Sequence, residues 1–197
     1  MGEHANAAPP PPGPEPVDQL LREGSRNYLD ALYALHRFKR EVIDAATKVW
    51  HARVAALADV IGPPRPQVGN VERYCNPDGV NIDCDGNWAW ITCKSWFAAP
   101  LKASCHLGLC FEREQGGEHV SCKVTFLIGA GTVARLQRLE NTFRGVPHFW
   151  TQPKDRECGF SWPLGNIDGL TRADLVTQFH HMMDHVIDLD AWHNLRD

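Results

Sequence analysis

The stretch CHLGLCFEREQGGEHVSCKVTFLI, residues 105–128, decides the fold. Cys105, Leu107, Leu109 and Phe111 occupy every second position, and Glu114-Gln115-Gly116-Gly117 follows as a turn signal. Val120, Cys122, Val124, Phe126 and Ile128 then return with the same alternation, while His119, Ser121, Lys123 and Thr125 take the other face. A period of two is the period of a strand, so the segment predicts an antiparallel hairpin with one face turned to a core.

The same period extends upstream. Trp88, Trp90, Thr92, Lys94 and Trp96 alternate with Ala89, Ile91, Cys93, Ser95 and Phe97, and Asp85-Gly86-Asn87 reads as a tight turn from a strand at Val80–Cys84. Both faces of this strand carry large side chains. The Trp face is therefore either packed under a helix or a binding platform, and Trp50 on the preceding helix favours packing.

That helix is expected over residues 25–61. Leu29, Tyr33, Ile43, Trp50, Val54, Leu57 and Ile61 form one stripe, adjoined by Tyr28, Leu32, Leu35, Val42, Ala46 and Val49. Ser25 is the expected N-cap, and Gly62-Pro63-Pro64 is a stop. At 1.5 Å per residue this element is about 50 Å long, which suits spanning the body, a break, or contact with a partner, a second copy of the chain included. Downstream, Gly129 and Gly131 end the hairpin and Thr132 opens a helix over 132–143. Residues 144–170 read as irregular or short strands. A final helix over 171–190 starts at Thr171-x-x-Asp174, a capping-box variant, with Leu175, Phe179, Met182, Val186 and Leu189 as its core stripe.

The expected class is α+β: a long N-terminal amphipathic helix packed on an antiparallel sheet (71–128), followed by two C-terminal helices. Residues 1–17, rich in proline, read as a disordered leader, and 18–197 as a single domain. Net charge is −4, which argues against a protein that coats nucleic acid. No apolar run reaches the roughly 18 residues that a membrane helix needs. Met1–Gln19 lacks the basic and apolar regions of a secretory signal, so the seven cysteines are expected reduced, in a cytoplasmic chain, mostly as buried filler. Cys105 and Cys110 fall on opposite strand faces, so one metal would not easily use both.

Catalytic templates fail at named positions. His181 and His185 lie four apart on one helix and, with Asp188, are the candidate ligands for a divalent transition metal. Met182 stands where a metalloprotease places its glutamate. The Asp83-Cys84-Asp85-Gly86 stretch has the core of a calcium loop without its closing glutamate. Glu118 and Lys123 miss the acid-x-Lys spacing of restriction-type nucleases. Gly129-Ala130-Gly131 lacks the Lys-Ser/Thr of a phosphate loop.

The remaining cluster is aromatic and basic. Arg144, His148, Phe149, Trp150, Arg156 and Trp162 resemble an interface hot spot and are the candidate partner-binding residues. The reading is thus a non-enzymatic protein-interaction module, an inhibitor, immunity or adaptor protein of bacterial type, with no cofactor. The alternatives are a small hydrolase using His181, His185 and Asp188, and a sensor of a small molecule or nucleotide.

Overall fold

A computed structural model describes residues 16–65, 72–75, 88–113, 120–165 and 169–195. The order is α1 (Pro16–Ile61), β1 (Glu72–Cys75), β2 (Trp88–Trp96), β3 (Ser104–Arg113), β4 (Val120–Gly129), α2 (Val133–Phe143), β5 (Phe149–Gln152), β6 (Glu157–Pro163) and α3 (Arg172–Ile187), then a 3₁₀ turn at Asp190–Leu195. The fold is α+β, with a long N-terminal helix and a six-stranded antiparallel sheet in the order β1-β2-β3-β4-β6-β5. The chain divides into two units, one ending at Arg37 and the other starting at Phe38.

The hairpin over 105–128 forms in the expected register, with Cys105 opposite Ile128 and Phe111 opposite Cys122. The turns at 85–87 and 114–117, the strand at Val80–Cys84, the calcium-like loop, Asp83, Asp85, Glu118 and the leader up to residue 15 lie outside the described residues.

Three boundaries differ from the sequence reading. First, α1 begins at Pro16 rather than Ser25. Proline is tolerated in a first helical turn, where its missing N–H has no partner to lose. Ser25 sits inside the helix and its hydroxyl donates to the Leu21 carbonyl at 2.7 Å. Second, the sheet extends beyond residue 128: the stretch read as irregular or short strands holds strands at 149–152 and 157–163, because β6 pairs along β4 (Phe126 opposite Phe160) and β5 pairs with β6. Third, α3 ends at Ile187, and the chain continues as the 3₁₀ turn.

The core lies between one sheet face and the helices. Ile91, Cys93, Leu107, Leu109, Val124, Phe126, Cys158 and Phe160 point to it, with Val42, Ala46, Val49, Trp50, Leu57 and Ile61 from α1 and Phe179, Met182, Met183 and Val186 from α3. Trp50 stacks on Phe126 with ring centres 6.4 Å apart and lies 6.0 Å from Phe97. From Val42 onward the helix stripe is thus core, whereas Tyr28, Leu29, Leu32 and Tyr33 of the same stripe are exposed; the buried part covers the Ile91/Cys93 face of β2, not the Trp90/Trp96 face. Phe143 of α2 fills the other end against Phe149, Phe160 and Trp192, the last at 4.6 Å. Surface ion pairs Arg53–Asp184 at 2.9 Å and Arg172–Glu41 at 3.5 Å tie α3 to α1; at this exposure each contributes at most about 1 kcal/mol.

The stops follow the local chemistry. Gly62, at a φ of 102° that favours glycine, closes α1 with its N–H on the Ala58 carbonyl at 3.0 Å. Thr132 caps α2, and Thr171 with Asp174 forms the reciprocal capping box of α3.

Candidate cleft on the open face of the sheet

The sheet face turned away from the helix core is where the polar side chains of the strands gather. Register places Trp90, Thr92 and Lys94 of β2 beside Cys110, Gly108 and His106 of β3. These continue to Lys123, Thr125 and Leu127 of β4, and then to Ser161 and Gly159 of β6 and Trp150 of β5. A cleft of about 430 Å³ opens on this face, lined among others by Trp90, Thr92, Lys123, Thr125, Trp150 and Ser161. That volume lies within the roughly 300–1,000 Å³ of small-molecule sites.

The floor is low because its residues are small. Thr92, Gly108, Thr125 and Ser161 follow one another across four strands. The walls are aromatic and aliphatic: Trp90, Trp150 and Leu127. The Thr125 hydroxyl and the Trp150 indole N–H are among the buried side-chain polar atoms without a hydrogen-bond partner. A buried, unmatched donor is costly, about 1–3 kcal/mol, and is expected to find a partner. Both of these belong to cleft-lining residues.

Charge is set by position. His106 is buried between Thr92 Oγ1 at 3.5 Å and Ser104 Oγ at 3.4 Å. Burial, helped by nearby Lys94, lowers its imidazole to about 3, so it is neutral here. Lys94 lies 4.8 Å from the centre of the Trp96 ring. At the β5–β6 turn, burial and then the charge of Asp155 push the Glu157 carboxyl up to about 7. The backbone at His148 and Arg156, beside the cleft, has φ values of 64° and 58°, a conformation that costs a non-glycine residue energy.

Glu157 also makes stability depend on pH. Between its ordinary value of 4.5 and about 7, the folded chain keeps a proton that the unfolded chain releases. Its contribution therefore falls as pH rises through that window. Glu157→Gln is expected to lose less of its melting temperature than the wild type between about pH 5 and about pH 8. Equal losses in the two proteins would contradict this.

The candidate partner-binding residues do not form one surface. His148 and Trp150 line the cleft, Phe149 also reaches it while packing on Phe143 and Phe160, and Trp162 lies on the core face opposite Val124. Arg144 and Arg156 are exposed, in the turns after α2 and after β5. The alternative metal set is likewise separated in its surroundings. His181 and Asp188 are exposed, whereas His185 is half-buried against His148, Phe160 and Trp162, with ring centres 5.7–6.3 Å away. Burial first, and His148 second, lower the His185 imidazole against the opposing charge of Asp188. Among the described residues, no group of three or more His, Cys, Asp or Glu side chains is placed to hold a metal ion.

Among the described side chains, Cys93, Cys105, Cys122 and Cys158 are buried free thiols, and Cys110 is half-buried. Burial pushes Cys93, Cys122 and Cys158 up to about 12, which leaves them inert as nucleophiles. Cys105 and Cys110 point to opposite faces, one in the core and one lining the cleft. The sequence reading missed Gln152, Asp155, Glu157 and Ser161 as cleft residues. Gln152, Glu157 and Ser161 sit in strands too short to reveal a period, and Asp155 lies in the turn between them. Among the described residues, no helix is long and apolar enough to cross a membrane.

Comparison with protein-family models, curated proteins and solved structures gives no match.

Proposed function

We propose that this chain is a binding protein whose ligand is a small molecule carrying a flat ring and a hydrogen-bond acceptor, held in the cleft of the open sheet face. The carrying observation is the pairing of two indole walls with two buried polar atoms that have no protein partner, Thr125 Oγ1 and Trp150 Nε1. A ring laid against either indole gains stacking area, and an acceptor that reaches the Trp150 N–H removes its desolvation cost. The ligand-binding alternative from the sequence is thereby favoured. Its pocket lies across the sheet from α1 rather than between sheet and helix.

A thermal-shift screen of small ring compounds tests this. Binders are expected to raise the melting temperature of the wild type. Trp150→Phe keeps the wall and removes the donor, so the shifts are expected to shrink while the unliganded melting temperature changes little. A screen with no hit, or hits that shift Trp150→Phe equally, would overturn the reading.

Contact with another protein is a second reading, supported by a separate observation. Leu21, Tyr28, Leu29, Leu32 and Tyr33 of α1 are large apolar side chains left exposed, Tyr33 at 70% and Tyr28 at 67%. Clustered on one helix, they are what an interaction module would present.

A further inference from the structure

In the unit that ends at Arg37, α1 carries an apolar stretch that is exposed. From Tyr28 to Leu35 every residue but Asp30 is apolar, and a helix apolar over so wide an arc normally lies against a partner. Leu21 is 63% and Leu29 51% exposed, beside Tyr28, Leu32 and Tyr33. The stretch from Leu21 to Tyr33 spans about 18 Å of helix. Helices of that length owe most of their stability in water to a packed apolar face. The buried core takes α1 only from Val42 onward.

Resting on the second reading above, we propose that the occupant of this stretch is a second copy of the chain, its helix antiparallel to the first. At 100° per residue, Leu29 and Leu32 fall at the middle of the exposed arc, with Tyr28 and Leu21 to one side. Tyr33, Arg26 and Asp30 fall to the other. A twofold axis at the height of Tyr28 brings the two Tyr28 rings together on one rim, and sets Leu21 of each copy at the height of the other's Leu35. On the opposite rim Arg26 of each copy stands at the height of the other's Asp30, so the match is made twice.

Charge and area both select this occupant. Arg22, Glu23, Arg26 and Asp30 give two charges of each sign, so a partner of one sign gains nothing here. The antiparallel copy is complementary by its own sequence. Aromatic side chains bury about 150–250 Å² each when covered, so two such patches face to face close over roughly 1,100 Å². A specific interface needs about 1,000 Å². The contact thus lies at the small end of the range, which suits a dimer that forms and parts.

Sedimentation velocity of the full chain, from about 1 to about 200 µM, tests the proposal in the range where small interfaces associate. The wild type is expected to shift with concentration from the mass of one chain to twice that mass. Tyr28→Glu, which sets two like charges side by side, is expected to stay at the mass of one chain. Arg26→Glu and Asp30→Arg each turn both rim pairs repulsive and are expected to weaken the dimer about tenfold. Mixed in equal amounts, these two variants restore attraction at both rim pairs of the mixed dimer. The mixture is expected to associate as the wild type does, which no effect within a single helix reproduces. A cooperative melting transition in each variant checks that it folds.

A wild type that stays monomeric, a Tyr28→Glu protein that still dimerises, or a mixture no tighter than its components overturns the proposal. If the wild type is monomeric but retains from cell lysate a protein that Tyr28→Glu loses, the occupant is a different protein and the second reading stands. If the monomer retains none, that reading falls as well.

Discussion

Trp50→Ala is expected to destabilise the unit from Phe38 onward by about 3–5 kcal/mol. The indole is only 1% exposed and is enclosed by Phe97, just past the end of β2, and Phe126 of β4. Removing it deletes a large apolar surface and leaves a void that neither ring can fill without leaving its own packing. Domains are typically stable by about 5–15 kcal/mol, so this one truncation removes a large share of the total. Urea denaturation followed by circular dichroism reads it as a lower midpoint at unchanged slope. A loss below about 1 kcal/mol would mean that Trp50 is not enclosed and that α1 does not cover the Ile91/Cys93 face.

The second large effect is at Gly108, where fold and cleft meet. An added Cβ would run into the Ile91 carbonyl oxygen and stand 2.7 Å from Thr92 Cα, both of them backbone. Strands β2 and β3 would have to part at their centre to admit a methyl group. Gly108→Ala is therefore expected to lose about 1–3 kcal/mol or more, and to lose ring-compound binding, because the floor between Thr92 and Thr125 is disrupted. Gly24→Ala is the matching control. Nothing lies within 4 Å of a Cβ built there, and in a helix interior alanine is favoured by about 0.5–1 kcal/mol. A Gly108→Ala protein as stable as the wild type would mean that the two strands are not that close.

What could be read from the sequence, and what could not, divides by range. The 105–128 hairpin, the stop at Gly62 and the caps at Thr132 and Thr171 each depend on neighbours a few residues away, and each formed where its residues pointed. The side of the sheet that α1 covers did not follow from β2, because Trp90 and Trp96 on one face are as apolar as Ile91 and Phe97 on the other. The alternation was informative but its parity was ambiguous. Strands β5 and β6 stayed undecided between irregular chain and short strands for a different reason. Four and seven residues long and set among glycine, proline and turns, they are held by pairing of β6 with β4 some thirty positions away and of β5 with β6. The cleft inherits that difficulty. Thr125, Ser161, Trp150 and Glu157 meet through cross-strand register, and no short motif brings them together. The candidate residues His148 and Trp150 were found through the aromatic and basic character of their stretch, and the same criterion drew in Phe149 and Trp162, which are half-buried and pack against the core.

The most direct test of the cleft as the binding site uses the indole N–H signals of the seven tryptophans in a proton–nitrogen correlation spectrum. The Trp150 signal is assigned by its loss in Trp150→Phe. On titration with a ring compound found by the screen, that signal is expected to move furthest and saturably. Trp50 and Trp192, closed in the core, are expected to stay in place. A saturable ligand that leaves Trp150 unmoved would contradict the account.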